Sequence, residues 1–238
     1  MHENTHQQST KPQSLESNEK MKGLMPPTFG FAGGEADGNV VPNVKYGSRI
    51  RYNEGEVEGA FGITFPEVVA ENINVVNVDG KYHLNADLIC WPDVTVWPGD
   101  QCLGRYTNIE DADSPKIGAQ NYRAVARDLT PHANGRTYPS SFWSKPLVLK
   151  HENFHAQEMI KLGEEKMEGI DRSLSGKTIH NEGEGITLLE EKSADLRDEI
   201  DSIMQAKDSE TPAYMSVAPE YQSLATTILK KGNAGGYK

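Results

Sequence analysis

The chain has 238 residues, with 24 Lys and Arg against 35 Asp and Glu, a formal net charge of −11. That length accommodates one sizeable domain, or one domain with a tail. An acidic surface repels phosphate backbones and anionic headgroups, so nucleic acid and anionic membrane are not expected partners. No run of about 18 apolar residues occurs, so no membrane span is expected either.

Residues 1–40 are rich in Ser, Gln, Asn, Lys, Gly and Pro, with few branched apolar side chains. Such a segment buries too little surface to offset its ordering entropy, and it reads as a disordered leader. The first 22 residues lack the apolar core of a secretory signal. Within the leader, GLMPPTFGFAGG combines a Pro pair with two Phe. It fits either a docking motif or the chain's entry into the domain.

From residue 41 onward the chain reads as a single domain, β-rich over 45–130. VKYGSRIRY, VEGAFGITF, NINVVNV, KYHLNADLICW and DVTVW are short and rich in β-branched and aromatic residues. Gly, Pro, Asn and Asp separate them, and VDGK at 78–81 is a hairpin signal. The aromatic WPDVTVW could line a substrate groove or pack in the core. NYRAVARDL fits one more strand or a short helix. Cys90 and Cys102 flank CWPDVTVWPGDQC. They read as a disulfide across a hairpin or as two unrelated thiols.

After Tyr138 the apolar period becomes helical, and residues 140–231 form the helical part. Ser144 is placed to cap a helix with Pro146 in its first turn and Gly163 at its end. A second helix is expected from about Ile186 to Ala206, and a third from about Pro219 to Lys231. The fold class is α+β, a β-rich first half followed by a helical half.

The first of these helices carries His151-Glu152-Asn153-Phe154-His155, an H-E-x-x-H. Two histidines four apart lie on one side of a helix, so both imidazoles can reach one metal. The adjoining Glu can take a proton from a water that zinc has acidified to a pKa of roughly 7. With 7 His in 238 residues, a chance match has a probability on the order of one in a hundred. Leu147, Phe154 and Leu162 lie near the histidine side, which therefore faces inward. His151 and His155 are thus expected zinc ligands and Glu152 the general base.

A catalytic zinc needs a third protein ligand. Downstream stands Glu191-Lys192-Ser193-Ala194-Asp195, and with it the chain resembles the gluzincin metallopeptidases over about residues 140–210. The resemblance implies Zn2+ as cofactor, Glu191 as third ligand and Asp195 as the second-sphere residue that orients His151. The gap, 191 − 155 = 36 residues, allows a turn of chain and a return helix. On a helical wheel Glu191 and Asp195 fall nearly opposite the apolar stripe Ile186, Leu189, Leu196, Ile200 and Ile203. That fits a helix sandwiched between two layers, or a solvated acidic face. Glu190, Glu184 and His180 remain alternative third ligands. Tyr214, Tyr221 and His180 are candidates for stabilising an oxyanion.

Trp143, the helix after the motif and the late DSETPAY segment are also similar to a family of bacterial secreted zinc proteases. That family carries a histidine near its late Asp/Thr segment, where this chain has Pro212 and Ala213 after Thr211. The leader ending in MPPTFGF resembles those on metallopeptidase-type cargo of extracellular contractile injection systems. This implies a protein made in the cytoplasm, exported by a non-classical or contractile route, and acting as a delivered effector or toxin, with a secretion or injection apparatus as partner. The expected function is zinc-dependent hydrolysis of a peptide or protein substrate. The alternative is a non-catalytic binding or structural cargo protein on the same scaffold.

Overall fold

Three long ribbons of chain carry the sheet, and each is broken at the same level. β1 (Gly38–Ser48) continues as β2 (Arg51–Glu54), β3 (Gly62–Phe65) as β4 (Val68–Val78), and β5 (Lys81–Cys90) as β6 (Asp93–Val96). The β5–β6 ribbon is central. It pairs parallel with β1–β2 on one side and antiparallel with β3–β4 on the other. Pro66 and Pro92 lie in the breaks, opposite each other by register. Neither can donate to a ladder, so the strand pairing is interrupted along this line, the crease of the sheet. Trp91 N–H to the Glu67 carbonyl (2.7 Å) and Arg51 N–H to the Pro92 carbonyl (2.9 Å) carry the pairing across the crease. Arg49 and Arg51 lie over the Trp91 ring, with guanidinium carbons 3.7 and 4.8 Å from its centroid.

The expected hairpin at 78–81 joins β4 to β5. Asp79 and Gly80 both have positive φ, 51° and 72°, the conformation that two-residue hairpin turns favour. β5 alternates strictly. Tyr82, Leu84, Ala86, Leu88 and Cys90 are buried, while the residues between them are half-buried. A short strand, β10 (Thr178–Ile179), extends this part of the sheet beyond β1. A small separate sheet is made by β7 (Gln101–Cys102), β8 (Tyr106–Asn108) and β9 (Phe142–Trp143).

Five helices follow or interleave: α1 (Tyr122–Asp128), α2 (Lys145–Met167), α3 (Ile170–Leu174), α4 (Glu182–Ala206) and α5 (Glu210–Asn233). Strands dominate the first half and helices the second, an α+β fold. The main core lies between the inner face of β1, β4 and β5 and helices α2, α3 and α4. A second cluster joins α1, α5 and the start of α2 around Val125, Leu147, Tyr221 and Ile228. No described helix is long and apolar enough to cross a membrane.

The computed structural model describes residues 37–238, which fall in one compact unit from Glu35 to Lys238. The expected leader therefore lies outside the described residues up to 36, along with GLMPPTFGFAGG. Its last residues, 38–40, are strand, and Val40 is a core residue at 1% exposure. NYRAVARDL is helix α1. The third helix starts nine residues before Pro219, which α5 contains internally. Gly163 does not end α2 but sits buried inside it. A Cβ there would lie 2.7 Å from Cys90 Sγ, so glycine is what lets α2 approach β5 so closely. Cys90 and Cys102 are both free and buried. Burial pushes both thiols up to about 12.

Candidate metal centre

The motif helix is held at its entry by side chains from elsewhere in the chain. Ser144 occupies the N-cap position of α2 but makes no capping bond. The bond comes instead from Asn108 on β8, whose Oδ1 accepts from Lys145 N–H at 2.8 Å. Asp128, at 3% exposure, accepts the backbone N–H groups of Ser140 (3.1 Å), Ser141 (2.8 Å) and Phe142 (3.1 Å). These bonds fix the segment that leads into the helix, and with it the direction in which α2 starts.

One turn further on, His151, Glu152 and His155 are all buried, at 6–7% exposure. The two imidazole Nε2 atoms converge to 3.1 Å. The carboxylate that meets them comes from Glu210, the first residue of α5. Its Oε1 lies 3.3 Å from His155 Nε2 and its Oε2 lies 3.6 Å from His151 Nε2. A tetrahedral zinc with bonds of roughly 2.0–2.1 Å holds its ligand atoms about 3.3 Å apart. The two Glu210 distances run from different carboxylate oxygens; taken as one donor atom per residue, the three lie within 4.8 Å of one another, and two imidazole nitrogens with a carboxylate oxygen are a donor set that suits zinc. Among the described residues this is the group of His, Cys, Asp or Glu side chains close enough to share an ion. The free edge of Glu210, 51% exposed, leaves the open side of the triangle facing the cleft.

The charges are mutually adjusted. The His151 and His155 rings beside Glu210 hold its carboxyl well below the usual carboxylate range. Burial alone would lower His155, but hydrogen bonding and charge from Glu210 outweigh it and raise the imidazole above its ordinary value. Glu152 is raised by burial, an effect His151 and Thr64 partly offset. Thr64 Oγ, on β3, lies 2.9 Å from Glu152 Oε2 and 3.1 Å from the Glu152 carbonyl oxygen. Its single proton is thus shared between the side chain and the backbone of the same residue.

A cleft of about 560 Å³ opens over these groups. One wall is the edge strand β3 with the loop before it. Trp97 pins that loop, its indole N–H donating to the carbonyls of Val57 (3.2 Å) and Ala60 (2.8 Å). The opposite wall is α5, where Tyr214 stands one turn after Glu210. Its ring centroid is 4.2 Å from that of His151, and Arg136 lies over it at 5.3 Å. Burial, then the Glu210 charge, raise the Tyr214 phenol, which therefore keeps its proton. Tyr221 also lines the cleft but is 4% exposed and packed in the second core cluster. Trp91 and Trp97 do not line it.

The other expected site residues lie elsewhere. Glu191 is exposed on α4 and is not brought to the histidines; Glu190 beside it is exposed as well. Asp195 pairs with Lys192 on the surface at 2.7 Å, while His151 Nδ1 is buried without a hydrogen-bond partner. The reason is rotational. α4 turns Leu189, Ser193, Leu196, Ile200 and Met204 inward, which leaves Glu191 and Asp195 on the solvated face. Glu184 serves the start of α4 instead. Asn181 Oδ1 accepts from Glu184 N–H at 2.9 Å, and Glu184 Oε2 accepts from His180 N–H at 2.8 Å, a form of capping box. The His180 ring is exposed and pairs with Asp37.

Glu210 lies 210 − 155 = 55 residues after the second histidine, inside the DSETPAY segment. A helix-start signal was present there. Ser209 precedes Glu210, with Pro212 in the first turn, and Glu210, Tyr214, Val217 and Tyr221 follow at helical spacing. No family model, curated protein or solved structure matches this chain.

Proposed function

We propose that the protein is a zinc-dependent peptidase whose metal is held by His151, His155 and Glu210. The observation that carries this reading is the convergence of two imidazole nitrogens 3.1 Å apart on the Glu210 carboxylate, whose two oxygens lie 3.3 and 3.6 Å from them, with the buried carboxylate of Glu152 alongside. Zinc in that triangle would supply Lewis acidity, polarising a carbonyl and bringing a water's pKa to roughly 7.

The rest of the chemistry falls to the chain. Glu152 takes a proton at Oε1, the oxygen that Thr64 does not hold, and returns it to the leaving amine. Burial raises its basicity above that of an ordinary carboxylate, which favours taking up that proton. Thr64 holds that carboxylate by its side chain and so fixes which oxygen faces the cleft. Tyr214 donates its hydroxyl proton to the negative charge developing on the carbonyl oxygen, and Arg136 across its ring favours that charge. β3 offers the free backbone groups of an edge strand, on which an extended peptide can be laid by strand addition.

The test is zinc content and turnover of the parent and of Glu152→Gln. About one zinc per chain in both, with peptide cleavage lost in the variant, is the expected result. Retained cleavage would remove Glu152 as the base. A parent that takes up no zinc would leave the non-catalytic scaffold as the better reading.

A further inference from the structure

The far end of the cleft is built differently from the rest. Beyond His155 its floor is Met159 of α2 and Met204 of α4, buried at 4% and 8% exposure. Thioether side chains make an adaptable apolar surface that suits a long unbranched chain. At the rim above them stands Asp201, one turn before Gln205 on the same helix. Both line the cleft.

Among the described residues three carboxylates face this cleft, those of Glu152, Glu210 and Asp201, and no Lys or Arg lines it. The first two are accounted for by the chemistry just described. Asp201 is not. Among the described residues its hydrogen-bond partner is Gln205 Nε2 at 2.6 Å, and no cationic side chain pairs with it. Arg197, one turn back, is bonded to Asp198 at 2.8 Å. The other acid at this end, Glu158, is taken by Lys207. Among the described residues Asp201 is therefore a half-buried anion in no ion pair, the Arg197 that feels its charge being bonded to Asp198, and it stands at the end of an apolar trough that leads from the two histidines. A carboxylate so placed is free to pair with an incoming cation.

We propose that Met159, Met204 and Asp201 form a side-chain subsite for Lys or Arg beside the scissile bond, so that the substrates are basic peptides. The proposal rests on the peptidase reading. The aliphatic stem lies on the two methionines, and the ammonium or guanidinium group reaches the Asp201 carboxylate. Such long charged side chains bury their stems while keeping the head at a polar rim. The chain's net charge of −11 draws cationic peptides toward the same cleft.

The experiment uses the full-length, zinc-loaded protein and a peptide series in which one position flanking the cleaved bond is Lys, Arg, norleucine or Glu. The expected order is Lys or Arg first and Glu last. The kcat/KM ratio of the Lys peptide to the norleucine peptide should fall about tenfold in Asp201→Asn, and Asp201→Lys should invert the preference toward Glu. In parallel, calorimetric titration of zinc-loaded Glu152→Gln with the Lys and norleucine peptides reads binding without turnover. Tighter binding of the Lys peptide, with that advantage lost on adding Asp201→Asn, supports the subsite. A parent that cleaves nothing while this difference persists refutes the peptidase and leaves the subsite standing. Equal handling of Lys and norleucine, including binding of neither, overturns the subsite.

Discussion

Replacing Glu210 by Ala separates the proposed ligand set from the one the sequence suggests. The carboxylate closes a triangle whose edges to the two histidines are 3.3 and 3.6 Å, and without it two imidazoles remain. A ligand that binds only the folded state stabilises it by RT ln(1 + [L]/Kd), about 4 kcal/mol at a thousandfold excess over Kd. For a domain of this size each kcal/mol moves the melting temperature by roughly 2–4 °C. Saturating zinc should then raise the melting temperature of the parent by about 8–16 °C, and the parent should retain about one zinc through dialysis. Glu210→Ala should show under a quarter of that shift and lose its zinc. Glu191→Ala, which alters an exposed residue of α4, should match the parent in both respects. The assays are calorimetric melting with and without zinc, and metal analysis after dialysis. If Glu191→Ala lost the shift and Glu210→Ala kept it, the placement of α5 against α2 would be refuted, and with it the ligand set.

Two further outcomes concern the frame of the site. Asp128→Ala strips the acceptor from three backbone N–H groups and the Ser140 hydroxyl, 3.1 Å away. It should cost about 3 kcal/mol in urea unfolding, and a loss under 1 kcal/mol would mean the entry to α2 is held by other bonds. The thiols of Cys90 and Cys102 are raised from an ordinary value near 9 to about 12. The folded state therefore keeps protons that the unfolded state loses. Their stabilisation is full below pH 9 and drains away as pH rises toward 12, by about 1.4 kcal/mol per unit for each thiol. Unfolding free energy should be about 3 kcal/mol lower at pH 10 than at pH 8 in the parent, and that extra slope should vanish in the Cys90→Ala, Cys102→Ala double variant. An unchanged slope would place the thiols in contact with water.

Local signals carried much of this architecture. The Asp79-Gly80 turn, the alternation along β5 and the H-E-x-x-H helix are all set by residues close in sequence. What escaped was set by partners far away. The cap of α2 is Asn108, 37 residues upstream, and nothing near Ser144 reveals it. Gly163 has the look of a helix end, but its neighbour is a cysteine on a strand. For the third ligand, a sequence resemblance led to an acidic helix whose buried stripe turns Glu191 outward. The residue beside the histidines sits at a helix start obscured by Pro219, which reads as a beginning while the helix passes through it. The fold-level expectation needed only periodicity, whereas the site needed the rotation of one helix and the first residue of another.

The crease in the sheet divides one set of strands between two duties. Above it, β1, β4 and β5 are clamped by three helices and set the stability of the domain. Below it, β3 and β6 pack on α2, and β3 with the loop before it forms the cleft wall. Val94 and Val96 of β6 are buried while every residue of β3 is half-buried or exposed, so the edge that would receive a substrate carries fewer packing demands than the strand beside it. A guest strand added to that edge would stiffen the lower half, and the load would pass through Thr64 to Glu152, making that carboxylate a mechanical neighbour of whatever occupies the edge.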